Sequence, residues 1–179
     1  MKIAAVVFLI APLWAQAPLK TATVVNPPTE RPNGMRQVVT SLENHLNDQI
    51  TAVGGADPVY ILGLNRGLYL QGFGAVYTAE LDLVQTPRPL PFQKEISKET
   101  AVKVHTRKLQ NLALLKKAMH DMWIDAASTL NSIPDTEQVV LAVRLFYQPW
   151  EDTTGLPVQI IMKGPRKAAI AGGIQTEEQ

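Results

Sequence analysis

The chain has 179 residues, no cysteine, and 17 Lys and Arg against 16 Asp and Glu, with 46% hydrophobic residues. Without cysteine, disulfides, thiolate metal sites and cysteine nucleophiles are excluded, so stability rests on packing. The balanced charge argues against a general nucleic-acid binder, which normally carries a basic surplus.

The opening MKIAAVVFLIAPLWAQA has the layout of a secretory signal peptide, expected over residues 1–17. Lys2 is the positive n-region, Ile3 to Trp14 the apolar run, and Ala15-Gln16-Ala17 the small-x-small cleavage pattern. The run falls short of the roughly 20 apolar residues that span a bilayer. Pro18 would hold the first mature position, where its fixed φ and missing N–H disfavour clean cleavage. Cleavage after Ala17 leaves 162 residues (179 − 17), enough for one ordinary domain with a proper core. No later stretch is long and apolar enough to be a membrane span, so a soluble periplasmic or secreted protein is expected.

Residues 18–34 hold Pro18, Pro27, Pro28 and Pro32 and read as a Pro-rich linker. From Met35 the apolar positions Val39, Leu42, Leu46, Ile50 and Val53 fall at spacings of 3, 4, 4 and 3, one face of a helix. Asn33 is its candidate N-cap and Gly54-Gly55 its stop. A strand follows at Val59 to Leu64. Asn65-Arg66-Gly67 then reads as a tight turn into GLYLQGFGAVYTAELDLV, residues 67–84, taken as one long strand. The prolines of TPRPLP, residues 86–91, break whatever precedes them.

Helical spacing returns from Ile96 to Leu130. Ala101, Val104, Lys108, Leu112, Leu115, Met119, Met122, Ala126 and Leu130 form a stripe in which Lys108 is the one charged member. A helix of that length extends about 50 Å. EQVVLAVRLFY is apolar on both alternating faces, as a central strand would be. VQIIMKG is a further strand, and residues 172–179 read as a polar tail. These elements predict a single α+β domain over 35–171 in the order α-β-β-α-β-β. Its sheet is expected to be four-stranded and mainly antiparallel, packed with two helices, the second long.

Gly72-Phe73-Gly74 is not a dinucleotide fingerprint, because the third glycine is missing and strand continues where a helix should start. On one strand Gly72 and Gly74 share a face, emptied where a backbone, a helix or a ligand comes close. With Tyr69, Phe73, Tyr77 and the loop residue Trp150, they are the candidate ligand-binding residues. Glu80 and Asp82, at i and i+2 on a strand, point the same way about 7 Å apart. That spacing suits acid–base work or a hard cation. His45, His105 and His120 are scattered, so no metal site and no cofactor is expected. The serines lack a G-x-S-x-G elbow. Lys98, Lys103, Arg107, Lys108, Lys116 and Lys117 give the long helix a basic face, for solvent, anionic lipid headgroups or an acidic partner.

The signal peptide together with GLYLQGFGAVYTAELDLV and LPVQIIMKGPRKAAI resembles exported bacterial proteins of unknown function. The resemblance implies a periplasmic or secreted setting and carries over no site residue. The favoured function is a non-catalytic binding or envelope-associated module, with a protein or envelope component as partner and no nucleic acid. One alternative is a hydrolase or metal-assisted enzyme using Glu80, Asp82 and a histidine. The other is a homo-oligomer assembled through the long helix, with Met119, Met122 and Trp123 at the interface.

Overall fold

The first helix, α1 (Pro32–Thr51), starts on a proline, whose preset φ and absent N–H suit the first turn. It therefore begins three residues inside the expected linker. The computed structural model describes residues 32–63, 65–86 and 96–179. The signal peptide, most of the linker and most of TPRPLP lie outside those residues. Leu42, Leu46 and Ile50 are buried along one side of α1, as the spacing predicts.

The strands that follow are β1 (Tyr60–Ile61), β2 (Arg66–Leu70) and β3 (Gly74–Asp82). The long strand expected over 67–84 is thus a hairpin, β2 and β3, turning at Gln71 to Phe73. Phe73 N donates to the Leu70 carbonyl at 3.0 Å, closing the turn. Gly72, third in that turn, has φ +81°, a value that favours glycine. The tight turn expected at Asn65-Arg66-Gly67 is instead a distortion of the edge strand. Ile61 pairs with Leu81 and Arg66 with Thr78, so the edge strand advances five residues where β3 advances three. Two extra residues are accommodated there, with Gly63 at φ +99°.

The long helix α2 (Lys98–Thr129) is capped by Ser97, whose hydroxyl accepts from Thr100 N at 3.2 Å. After it come β4 (Gln138–Leu145), β5 (Gln159–Pro165), the short α3 (Ala168–Ala171) and β6 (Gln175–Glu178). The sheet is mixed and six-stranded, ordered β1-β3-β4-β5-β6 with β2 also on β3. The expectation of four mainly antiparallel strands is corrected in both respects. β3 and β4 run parallel because the chain crosses back through α2 between them, and parallel neighbours need a crossover of that kind. The polar tail supplies β6, antiparallel to β5. β4 lies centrally between β3 and β5, as its two apolar faces predict.

One set of alternates is buried along the three central strands. It comprises Ala75, Tyr77, Ala79 and Leu81, then Val139, Leu141, Val143 and Leu145, then Ile160 and Met162. These pack with Leu112, Leu115, Met119, Met122 and Trp123 of α2 in one core cluster. The Trp123 indole N–H donates to the Val139 carbonyl at 2.8 Å, so its burial leaves no polar atom unpaired. Gly164 lies under the indole, where an added Cβ would be 3.0 Å from the ring. Met119, Met122 and Trp123, expected at an oligomer interface, are core residues of the domain.

Candidate functional site

The one charge in the apolar stripe of α2 is fully enclosed. Lys108 has no exposed side-chain surface, and its ammonium lies 2.8 Å from Asp82 Oδ1 and 2.5 Å from Glu151 Oε2. It also donates to the Phe146 carbonyl at 3.2 Å and stands 4.9 Å from the centre of the Tyr147 ring. Two carboxylates and a carbonyl thus surround one ammonium; the carbonyl accepts a hydrogen bond from it, while the contact with Glu151 Oε2 is an ion pair without hydrogen-bond geometry. The carboxylates take further donors. Thr86 Oγ1 donates to Asp82 at 3.2 Å, and Gln148 N to Glu151 at 3.0 Å. Burial holds the Tyr147 hydroxyl well above the ordinary tyrosine range, with Glu151 and Asp82 adding to the rise. Its hydroxyl donates to the Pro157 carbonyl at 2.6 Å. The cluster joins the end of β3, the first third of α2 and the loop between β4 and β5. An ammonium with no exposed surface meets no dissolved substrate, so this centre acts as a pin.

A second polar centre is open to solvent. A cleft of about 420 Å³ lies between α1 and β2 and includes Tyr69 in its lining. Met35, Val39 and Leu68 give it apolar surface, while Arg36, Thr40, Glu43 and Arg66 give it polar groups. The sequence builds it simply. Positions 36, 40 and 43 rise along one side of α1, at helical spacing beside the core stripe. β2 alternates exposed and half-buried residues from Arg66 to Leu70. Gly67 lets the two elements meet, because a Cβ there would stand 2.8 Å from Val39 Cγ1. Its N–H donates to Glu43 Oε1 at 2.5 Å, so an edge N–H that faces away from β3 is capped by the helix. No family model, curated protein or solved structure matches the chain.

The residues named from sequence fall in four settings. Tyr69 lines the cleft. Gly72 and Phe73 form the hairpin tip, where Phe73 is 47% exposed. Gly74, at φ +134°, lies against β4: a Cβ there would stand 1.9 Å from the Gln138 carbonyl oxygen. The space beside it is filled by backbone, neither helix nor ligand. Tyr77 is in the core, its hydroxyl donating to Asn47 Oδ1 at 2.6 Å. Its pKa is pushed up to about 12 by burial, with an Asn65 hydrogen bond opposing and Glu43 adding. Trp150 is half-buried beside Glu151, and its indole N–H has no partner among the described residues.

The expected carboxylate pair divides. Glu80 stands 4.0 Å from Arg144 at the surface, whereas Asp82 is buried against Lys108. The histidines pair elsewhere: His45 with Asp125 at 2.5 Å, His105 with the Asp152 carbonyl, and His120 with Asp121. Among the described residues no group of three or more His, Asp or Glu could hold a metal ion. Of the basic face on α2, Lys108 is buried, Arg107 pairs with Asp57 and Lys116 with Glu178. No helix among the described residues is long and apolar enough to cross a membrane. Arg36, Thr40, Glu43 and Arg66 were not singled out from sequence as site residues. They carry no signal in the sequence, because the cleft exists only once α1 lies against β2.

Proposed function

We propose that the chain is an exported, periplasmic or secreted, non-catalytic binding domain whose ligand enters the α1–β2 cleft. The cleft itself carries the proposal. Its volume of about 420 Å³ falls inside the range of about 300–1,000 Å³ usual for small-molecule sites. It joins apolar surface to a few convergent polar groups, which is the make-up such sites share. The signal-peptide layout of residues 1–17 supports export, and a small component of the cell envelope is the class of partner that fits both features.

The test is amide NMR of the domain from Pro18 onward, titrated with a library of small fragments. Shifts should gather on residues 35–43 and 66–69, and Thr40→Trp, which fills the cleft, should remove them. Fragments that gather elsewhere, or that bind Thr40→Trp equally well, would rule the cleft out. Export is checked by mass: a processed product beginning at Pro18 outside the cytoplasm is expected, and an intact chain retained inside contradicts it.

A further inference from the structure

Every helix of the described residues lies on one face of the sheet. α2 and α3 pack with the buried alternates of β3, β4 and β5, and α1 meets β2 where Val39 stands over Gly67. The opposite face carries an apolar band of Leu68, Leu70, Val76, Val140, Ala142 and Ile161. Leu68 and Leu70 are 41% and 48% exposed, and the other four are half-buried. Parallel strands such as β3 and β4 are ordinarily covered on both faces, and the described residues supply one cover only. Strand register orders the charges on the open face. Arg66 pairs with Thr78, Thr78 with Ala142, Ala142 with Ile161 and Ile161 with Glu177, so one row crosses the sheet from β2 to β6. It starts on a cation, ends on an anion and has a small residue at its centre. Arg66 forms no ion pair among the described residues. Glu177 holds Lys163 at 2.5 Å through one oxygen, and its second oxygen can accept another donor.

We propose that a second copy of the chain covers this face, in a two-fold dimer whose axis runs along β4 through Ala142. A two-fold interface uses the same patch on both subunits, so the patch must complement itself. Rotation about this axis lays β2 of one copy over β6 of the other, and the Arg66–Glu177 row then matches opposite charges at both ends. The neighbouring row places Leu68 over Gln175 and Val76 over the aliphatic stem of Lys163. Arg144, two residues along the axis from Ala142, brings its own counter-charge in Glu80 at 4.0 Å. Strands β2 to β6 at about 4.8 Å apiece, along the length of β4 at about 3.3 Å per residue, give about 600 Å² per copy. Two such faces make about 1,200 Å², above the roughly 1,000 Å² that a specific interface needs and at the small end of its range. The inference is independent of the cleft, which lies on the side of β2 turned to α1.

The test is the mass of the mature chain, Pro18 to Gln179, by light scattering and sedimentation over a concentration series. It should rise to twice the monomer mass with a dissociation constant in the micromolar range, as a small interface gives. Ala142→Glu puts two like charges together on the axis and should weaken the dimer about a hundredfold or more. Arg66→Glu should weaken it about tenfold, and adding Glu177→Lys should restore most of the loss. Leu114→Glu, at an exposed position of α2, should change nothing. A monomer at every concentration overturns the dimer, and so does a mass that climbs past two copies. A dimer that survives Ala142→Glu, or that Leu114→Glu disrupts instead, overturns this face. Failure of the charge exchange to restore assembly overturns the two-fold register. Amide spectra check that each variant is folded; should Ala142→Glu unfold, Leu68→Lys at its exposed position applies the same test.

Discussion

Replacing Lys108 by methionine keeps most of the side-chain volume and removes only the ammonium. At an effective dielectric constant near 20, charges at the observed 2.8 and 2.5 Å attract by about 6 kcal/mol each. Stripping water from the ions costs several kcal/mol apiece, so the intact cluster is near balance. The balance fails when the cation alone is lost, because two buried carboxylates then face each other unpaired. The expected loss is about 3–5 kcal/mol, or a melting temperature lower by about 6–20 °C at about 2–4 °C per kcal/mol. Urea unfolding followed by tryptophan fluorescence measures it, with the m-value checking that the two end states are unchanged. The triple variant Lys108→Met, Asp82→Asn, Glu151→Gln removes all three charges and should return to within about 2 kcal/mol of wild type. A loss below about 1 kcal/mol in the single variant, or a triple variant as unstable as the single, would refute the paired and desolvated cluster.

The two glycines of the hairpin should separate by substitution. Gly72→Ala meets open space and carries only the strain of positive φ, about 1–2 kcal/mol; Gly74→Ala drives a Cβ into the Gln138 carbonyl and should cost more than about 3 kcal/mol. Equal costs in denaturant melts would contradict the strand contact. Tyr77, with its pKa raised from 10.0 to about 12 by burial, favours the folded state fully below pH 10, and that contribution is lost as pH rises to 12. The loss amounts to about 2 kcal/mol, and Tyr77→Phe should flatten stability across that window. Ending the chain at Ile174 removes β6 and the Lys163–Glu177 and Lys116–Glu178 pairs. The bare edge of β5 should then lower the melting temperature and promote association in light scattering; a monomer of unchanged stability would show that β6 is dispensable.

Where the sequence carried a periodic apolar pattern, the fold was legible in it. The stripe on α2 and the two-faced pattern of β4 came through because burial forces those spacings. β6 did not, because all four of its residues are exposed and only its backbone pairs with β5. The hairpin was hidden for a different reason. Tyr69, Phe73, Ala75 and Tyr77 keep the same two-residue phase on either side of Gln71, and alternation with a single polar interruption cannot show that the chain reverses there. The parallel pairing of β3 with β4 was implicit in strand, long helix, strand, but four strands without a register allow either direction.

Charge placement divides the molecule more sharply than its sequence motifs do. Lys108 lies in an apolar stripe, where an unpaired cation would be prohibitive, and two chain segments distant in sequence bring it carboxylates. Its position in the stripe was therefore the visible sign of a partner, although not of which one. Arg36 and Arg66 present the opposite case, because solvent can hydrate them and nothing in folding demands a partner. A polar group that folding must satisfy reports on stability, while an exposed one that water satisfies is left out of the fold's demands. Glu43 lies between the two cases: folding uses its Oε1 to cap the Gly67 N–H where α1 meets β2, while the carboxylate remains part of the cleft lining.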